Sequence, residues 1–158
     1  MDDHVGRRNL RQQFADGADV AEPADRRRRA ERNRVGAAAF GVHTKVIGVS
    51  PDDPSAAIAG YVRPILAGLE SELKLTAGTL GSRDITVVDR FVGGGYGVPS
   101  DASREAIELT ARCEGLLIDP VYSAKAMAAL IAYARTGELD AHQTVLFWHT
   151  GGVPGLFA

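Results

Sequence analysis

Cysteine and long apolar runs are both scarce in this sequence. Its 158 residues include a single cysteine, Cys113, which excludes an internal disulfide framework and favours a reducing compartment. No apolar run approaches the roughly 20 residues that a helix needs to cross a bilayer. The first residues also lack the apolar stretch of a secretory signal. We therefore expect a cytoplasmic protein with no membrane span.

Metal-binding and nucleotide-binding patterns are also missing. The four histidines have no metal-ligand spacing, and Cys113 has no cysteine partner, so we expect no metal site. Neither GxGxxG nor a Walker A pattern occurs. Cys113 falls on the apolar face of a predicted helix, and we interpret it as a buried, inert thiol rather than a nucleophile. The four histidines are His4, His43, His142 and His149.

Positive charge is concentrated at the start of the chain. Residues 1–34 hold nine arginines and seven acids, whereas residues 35–158 carry nine basic residues and 13 acids. The first segment has few large apolar residues, so it buries too little surface to offset the entropy of ordering it. We predict that residues 1–35 are disordered or unrelated to the rest. The alternative is an arginine-rich arm that binds nucleic acid or a membrane surface, and the interleaved acids and few aromatics argue against it.

From residue 36 onward, short apolar runs alternate with helical patterns. The runs predict strands at 45–50, 85–89, 116–118 and 144–148. Ser100 or Asp101 is expected to cap a helix that continues to about Cys113, and another helix is expected to stop near Gly137. Pro64 predicts either a kink in the first helix or a helix that begins at that residue. The apolar face of that first helix consists of Ile58, Val62, Ile65, Leu69 and Leu73, and that of the last helix of Met127, Leu130, Ile131 and Ala134.

This order of elements predicts an α/β fold with an open, mainly parallel sheet and flanking helices. Ligands in such folds bind beyond the carboxyl ends of the strands. Three unusual segments lie at those ends, namely GGGYGVP (93–99), DPVYSAK (119–125) and HTGGVP (149–154). They are the candidate site.

Each segment permits a functional and a structural interpretation. Tyr96, on its glycine loop, can present a phenol to a substrate as a hydrogen-bond partner or acid/base, or it can pack its ring on a neighbour. Ser123 can bind an anion at a helix N-terminus or simply cap that helix. Lys125 is interpreted as an exposed, solubilising lysine rather than a Schiff-base lysine. His149 is interpreted as a half-buried residue at a strand end rather than a base.

Taken together, GYGVP, EGLLIDPVYSAKAM and LFWHTGGVPGLFA resemble the C-terminal half of one enzyme family. This is the D-cysteine desulfhydrase and 1-aminocyclopropane-1-carboxylate (ACC) deaminase family, whose members are fold-type II pyridoxal-phosphate enzymes related to the tryptophan synthase β subunit. The resemblance covers roughly residues 36–158. It implies a truncated tryptophan synthase β-like fold, pyridoxal 5'-phosphate as cofactor, a small amino acid as substrate and a homodimer in full-length relatives.

The resemblance also implies roles for individual residues. Tyr96 and Tyr122 match the tyrosines that face the substrate and assist proton transfer. Thr150, with the backbone of Gly151, matches the position beside the pyridine nitrogen. The deaminases carry glutamate at the position of Ser123, whereas the desulfhydrases carry a hydroxyl residue, so this chain resembles the desulfhydrases. They release pyruvate, ammonia and sulfide from D-cysteine by β-elimination.

Two features of the family are missing from the sequence. The Schiff-base lysine and the glycine-rich phosphate loop belong to the N-terminal half, and none of Lys45, Lys74 and Lys125 lies in a matching motif. We therefore expect the isolated chain to be inactive or nearly so. ACC deaminase activity, and a non-catalytic fragment that pairs with another chain, are the alternatives.

Overall fold

The computed structural model describes residues 45–80, 86–149 and 151–152. They form two compact units that divide between Tyr96 and Gly97. In these ranges no helix is both long and apolar enough to cross a membrane. The prediction for residues 1–35 and the role assigned to Thr150 lie outside the described residues.

The first unit is built on a strand–helix–strand motif. Strand β1 (Ile47–Val49) pairs in parallel with β2 (Thr86–Val88), and Gly48 lies opposite Val87. Helix α1 (Ser55–Glu72) comes between them in the chain and contacts β2. Both strands were predicted from short runs rich in β-branched residues, and their parallel pairing confirms the α/β class.

The N-terminus of α1 is capped from the end of the neighbouring strand. The residue at its N-cap, Pro54, offers no side-chain acceptor, and the backbone N–H of Ser55 instead donates to Asp89 Oδ2 over 2.7 Å. This bond lowers the pKa of Asp89 below its ordinary value, because it stabilises the charged carboxylate.

The Asp89 cap predicts an acid-dependent loss of stability. Since the folded-state pKa is the lower one, the cap contributes fully above the unfolded-state pKa of about 4 and is lost as the pH falls through the folded-state value. Urea unfolding between pH 6 and pH 2 should therefore show a shallower decline in Asp89→Asn than in the wild type. The exposed Asp52 provides the control, since Asp52→Asn should keep the wild-type pH profile. Identical profiles for Asp89→Asn and the wild type would contradict the prediction.

The core of the first unit differs from the predicted helix face. Val62 and Leu66 of α1 are buried together with Leu80, and Ile58 and Leu69 pack against them. The buried stripe thus advances by four residues, and Pro64 lies inside a continuous helix. Two members of the predicted face, Ile65 and Leu73, are exposed.

The segment after α1 explains why the stripe shifts. The carboxylate of Glu70, 7% exposed, accepts the backbone N–H groups of Gly78 and Leu80 at 2.9 and 2.5 Å. These bonds hold the returning chain, with the Leu80 side chain, on the side of the helix that presents Leu66. A polar residue therefore fixes which apolar residues are buried.

The second unit is built on two packed helices. Helix α2 (Asp101–Glu114) begins with a capping box between Ser100 and Ser103 and ends at the left-handed Gly115. Helix α3 (Ser123–Thr136) ends at the left-handed Gly137. Both ends of α2 and the end of α3 confirm the predicted boundaries. The buried residues of the two helices are nearly all small: Ser103, Ala106 and Thr110 in α2, and Ser123, Ala124, Lys125, Ala128 and Ala129 in α3.

The two helices are also joined by an ion pair at their surface. The Arg135 guanidinium donates to both carboxylate oxygens of Glu105, at 3.0 and 2.7 Å. This pairing lowers the pKa of Glu105 and raises that of Arg135. Both side chains are more than half exposed, so water screens the pair and its contribution to stability is small.

Three predictions for this unit are corrected by the structure. Cys113 is exposed, because the buried stripe of α2 ends at Thr110 and the last turn extends beyond it. The segments 116–118 and 144–148, predicted as strands, form no ladder within the described residues. An apolar run becomes a strand only when a neighbouring backbone pairs with it, and the described ladder joins β1 and β2 alone.

Candidate cofactor site

The start of α3 is organised by Asp119, a residue to which the sequence analysis gave no role. Asp119 is 1% exposed, and its carboxylate accepts the backbone N–H groups of Val121, Tyr122 and Ser123 at 3.0, 2.7 and 2.9 Å. Its backbone carbonyl accepts the N–H of Ala124 at 2.9 Å. Asp119 thus satisfies the N–H groups that the first turn of a helix cannot pair internally.

This arrangement corrects the interpretation of Ser123 as a helix cap. The N-cap residue is Tyr122, which makes no side-chain capping bond, and Ser123 is the first helical residue. The sequence carried a usable signal, since an Asp-Pro pair directly after an apolar run is typical of a side chain that bonds to the backbone two residues on. The Ser123 hydroxyl is consequently available for another contact.

That contact joins two of the three predicted segments. Ser123 is 7% exposed, and its Oγ donates to the carbonyl oxygen of Gly151 over 3.3 Å. Gly152 has a φ of 103°, and a Cβ atom there would lie 2.5 Å from Asp119 Cγ. Only glycine fits at this position, because both the left-handed backbone and the close carboxylate exclude a side chain.

Lys125 lies in the same helical turn as Ser123 and is completely buried, at 0% exposure. The prediction of an exposed lysine is therefore wrong. The first turn of α3 lies inside the unit, where Ser123 and Ala124 are buried as well. The other two lysines, Lys45 and Lys74, are exposed.

The two candidate tyrosines belong to different units. Tyr96 is 53% exposed in the first unit, on a loop where Gly93 and Gly95 adopt φ values of 67° and 126°. The expected use of glycine for positive φ is confirmed at these two positions. Tyr122 is half-buried at the N-cap of α3 in the second unit. Ser123 and Gly151 also belong to the second unit.

His149, predicted to be half-buried, is half-buried. Its Nε2 atom is buried and has no hydrogen-bond partner among the described residues. The imidazole borders an apolar cavity of about 50 Å³. The neighbouring Trp148 is 60% exposed. The other residues around the cavity are Leu116, Leu117, Ile118, Met127 and Phe147.

This geometry fits the edge of a flat heteroaromatic ring. Ser123 supplies a hydroxyl, and the backbone of Gly151 and Gly152 lies beside it without side chains. A hydroxyl can hydrogen-bond to a ring nitrogen, and bare backbone allows a planar ligand to approach closely. In the described ranges, no group of three or more His, Cys, Asp or Glu side chains could hold a metal ion. Ser123 and Gly151 are the described residues that could hold the pyridine side of pyridoxal phosphate.

Comparison with known proteins gives the family. Residues 33–151 match the family model described as pyridoxal-phosphate dependent enzyme. Among solved structures, the chain is similar to one described as an ACC deaminase homologue, with a TM-score of 0.69 and 23% identity. That match covers 80% of this chain but 37% of the other, so this chain spans little more than a third of the homologue's length. Together the family match and the shared fold show that the chain belongs to the pyridoxal-phosphate dependent enzymes.

Proposed function

We propose that this chain forms the part of a pyridoxal-phosphate enzyme that contacts the cofactor ring and a small amino-acid substrate, in a β-elimination like that of D-cysteine desulfhydrase. The observation that carries the proposal is the contact between Ser123 Oγ and the Gly151 carbonyl. The two residues are 28 positions apart in the chain. By family resemblance, both of the segments that contain them contact the cofactor ring.

The choice of reaction rests on the hydroxyl of Ser123. When bound, pyridoxal phosphate acts as an electron sink for the substrate's α-carbon. When the cofactor binds, the serine hydroxyl would have to turn its one hydrogen from the Gly151 carbonyl to the ring nitrogen. It would then donate a hydrogen bond but not hold a proton there as an acid would. The weaker sink that results suffices when a good leaving group such as sulfide departs from the β-carbon. Ring-opening of a cyclopropane offers no such group.

Proton transfer at the substrate is assigned to the two tyrosines. Tyr96 is half exposed and lies on a loop whose glycines adopt left-handed conformations. Tyr122 is adjacent to Ser123, and its backbone N–H is fixed by Asp119. The phenols of Tyr96 and Tyr122 would act as acid and base, as the resemblance to the desulfhydrase and deaminase family implies.

ACC deaminase activity is the second candidate, favoured by the likeness to a structure described as an ACC deaminase homologue. The glutamate of the deaminases is replaced here by Ser123, which favours elimination. The two reactions are distinguished by adding the N-terminal half of a family member, which supplies the lysine. Sulfide release from D-cysteine would then indicate elimination, and ammonia release from ACC would indicate deamination.

The proposal predicts measurable cofactor binding by the purified chain. Trp148 is the sole tryptophan and lies three residues from Gly151, so pyridoxal phosphate bound there should quench its fluorescence saturably. Ser123→Ala should raise the dissociation constant about fivefold, because one hydrogen bond contributes about 1 kcal/mol. Ser71→Ala, at an exposed position in α1, should leave it within about twofold.

Two further measurements guard against unspecific reaction with surface amines. Pyridoxine 5'-phosphate, which keeps the ring and the phosphate but has no aldehyde, serves as a competitor that cannot react with amines. Borohydride reduction followed by peptide mapping locates any attached cofactor. Attachment confined to the exposed Lys45 or Lys74, with no saturable quenching of Trp148, would refute the proposal. Attachment at Lys125 would instead overturn the expectation that the chain lacks a Schiff-base lysine.

A further inference from the structure

The buried carboxylate of Asp119 is in contact with both halves of the candidate site. One oxygen, Oδ2, accepts the N–H groups of Val121 and Tyr122, and the other, Oδ1, accepts that of Ser123. The Oδ1 side of the carboxylate also faces Gly152, where an added Cβ would overlap it. A helix cap would need only the bonds to these three N–H groups and not the contact with Gly152.

The two carboxylate oxygens of Asp119 make different contacts. Oδ2 holds the turn that leads into α3, while Oδ1 accepts the backbone N–H of Ser123 and lies on the side of Gly152 where a side chain would begin. The Ser123 hydroxyl bonds to Gly151, so the distance between the hydroxyl and that backbone depends on where Oδ1 lies. Asp119 is therefore placed to set the spacing between the two ring contacts.

We propose that Asp119 is a positioning residue of the cofactor site, which holds the Ser123 hydroxyl and the Gly151–Gly152 backbone at the spacing that a flat ring requires. The inference rests on the proposed function for its ligand. Asp119 does not itself touch the ring in this proposal, and it acts through Ser123 and Gly152. A carboxylate that serves only as a helix cap would affect stability and leave the spacing unchanged.

Asp119→Asn separates the two roles. Asparagine is a good helix-capping residue with one acceptor oxygen, so the turn can remain capped. The amide NH₂ then faces the Ser123 N–H in place of Oδ1. Both groups are hydrogen-bond donors, so the bond that Oδ1 accepted is lost. The matched control is Ser100→Ala, which removes the capping box of α2 in the same unit and touches neither Ser123 nor Gly152.

Two readouts are measured on the full chain at a temperature where circular dichroism shows all variants folded. The first is the pyridoxal-phosphate dissociation constant from Trp148 quenching, which should rise at least tenfold in Asp119→Asn and stay within twofold in Ser100→Ala. The second is hydrogen–deuterium exchange without cofactor. Exchange of the peptide that contains Gly151 and Gly152 should accelerate at least tenfold in Asp119→Asn alone.

The outcomes separate this inference from the proposed function. Unchanged exchange of the Gly151–Gly152 peptide in Asp119→Asn would overturn the positioning role, whether or not the cofactor binds. Faster exchange, together with a wild-type chain that shows no saturable quenching, would support Asp119 as the spacer of the two segments and refute the proposed function. If Asp119→Asn does not fold, Asp119→Ser, which keeps one capping oxygen but is too short to reach Gly152, takes its place in both measurements.

Discussion

Gly152→Ala is expected to lower the free energy of unfolding by about 3 kcal/mol. A non-glycine residue at a φ of 103° is strained by about 1–3 kcal/mol, and the added methyl group overlaps the buried Asp119 carboxylate, with a further overpacking cost of about 1–3 kcal/mol. Urea unfolding followed by circular dichroism measures the loss.

A matched substitution separates the backbone strain from the steric overlap. Gly137 ends α3 with a φ of 74°, and beyond its chain neighbours none of the described residues comes within 4 Å of the position a Cβ would take there. Gly137→Ala should therefore cost about 1 kcal/mol through the backbone alone. The difference between the two variants measures the contact with Asp119. Equal losses would mean that Gly152 does not lie against the Asp119 carboxylate, and the geometry of the candidate site would be wrong.

Leu66→Ala should destabilise the chain by about 3 kcal/mol, within the range for a fully buried leucine. Leu66 is 1% exposed and packs with Val62 and Leu80. Truncation leaves a cavity that Leu80 cannot readily fill, because its backbone N–H is bonded to the Glu70 carboxylate. The loss is measured as the change in urea midpoint at constant slope.

The neighbouring residue supplies the control for this prediction. Ile65 has the same number of side-chain carbons but is 37% exposed, so Ile65→Ala should cost no more than about 1 kcal/mol. The periodicity of the sequence placed Ile65 on the buried face and did not include Leu66. If Ile65→Ala proved the more damaging variant, the packing of α1 described by the structure would be refuted.

Asp119 and Gly152 make structural contacts at the proposed cofactor site. The same contacts that hold the start of α3 also bring the Ser123 hydroxyl to the backbone of Gly151. Variants in this region are therefore expected to change stability and cofactor binding together, and capping variants elsewhere in the unit are needed to tell the two effects apart.

Features that depend on a few neighbouring residues could be predicted from the amino-acid sequence. Ser100 at the start of α2, and Gly115 and Gly137 at the helix ends, act through their own backbone and side chain. Short runs rich in β-branched residues likewise predicted β1 and β2. Three motifs in order pointed to the family, because each motif is a local pattern of residue types.

Which side chains are buried and which segments pair depends on long-range packing and could not be predicted from local patterns. Lys125 is buried and Cys113 exposed, against expectation, because burial depends on what packs over a helix turn rather than on the turn itself. Leu66 replaces Ile65 in the core since Glu70 holds the returning chain over it. The role of Asp119 likewise depends on Gly152, 33 positions further along the chain, and no local pattern encodes a contact at that distance.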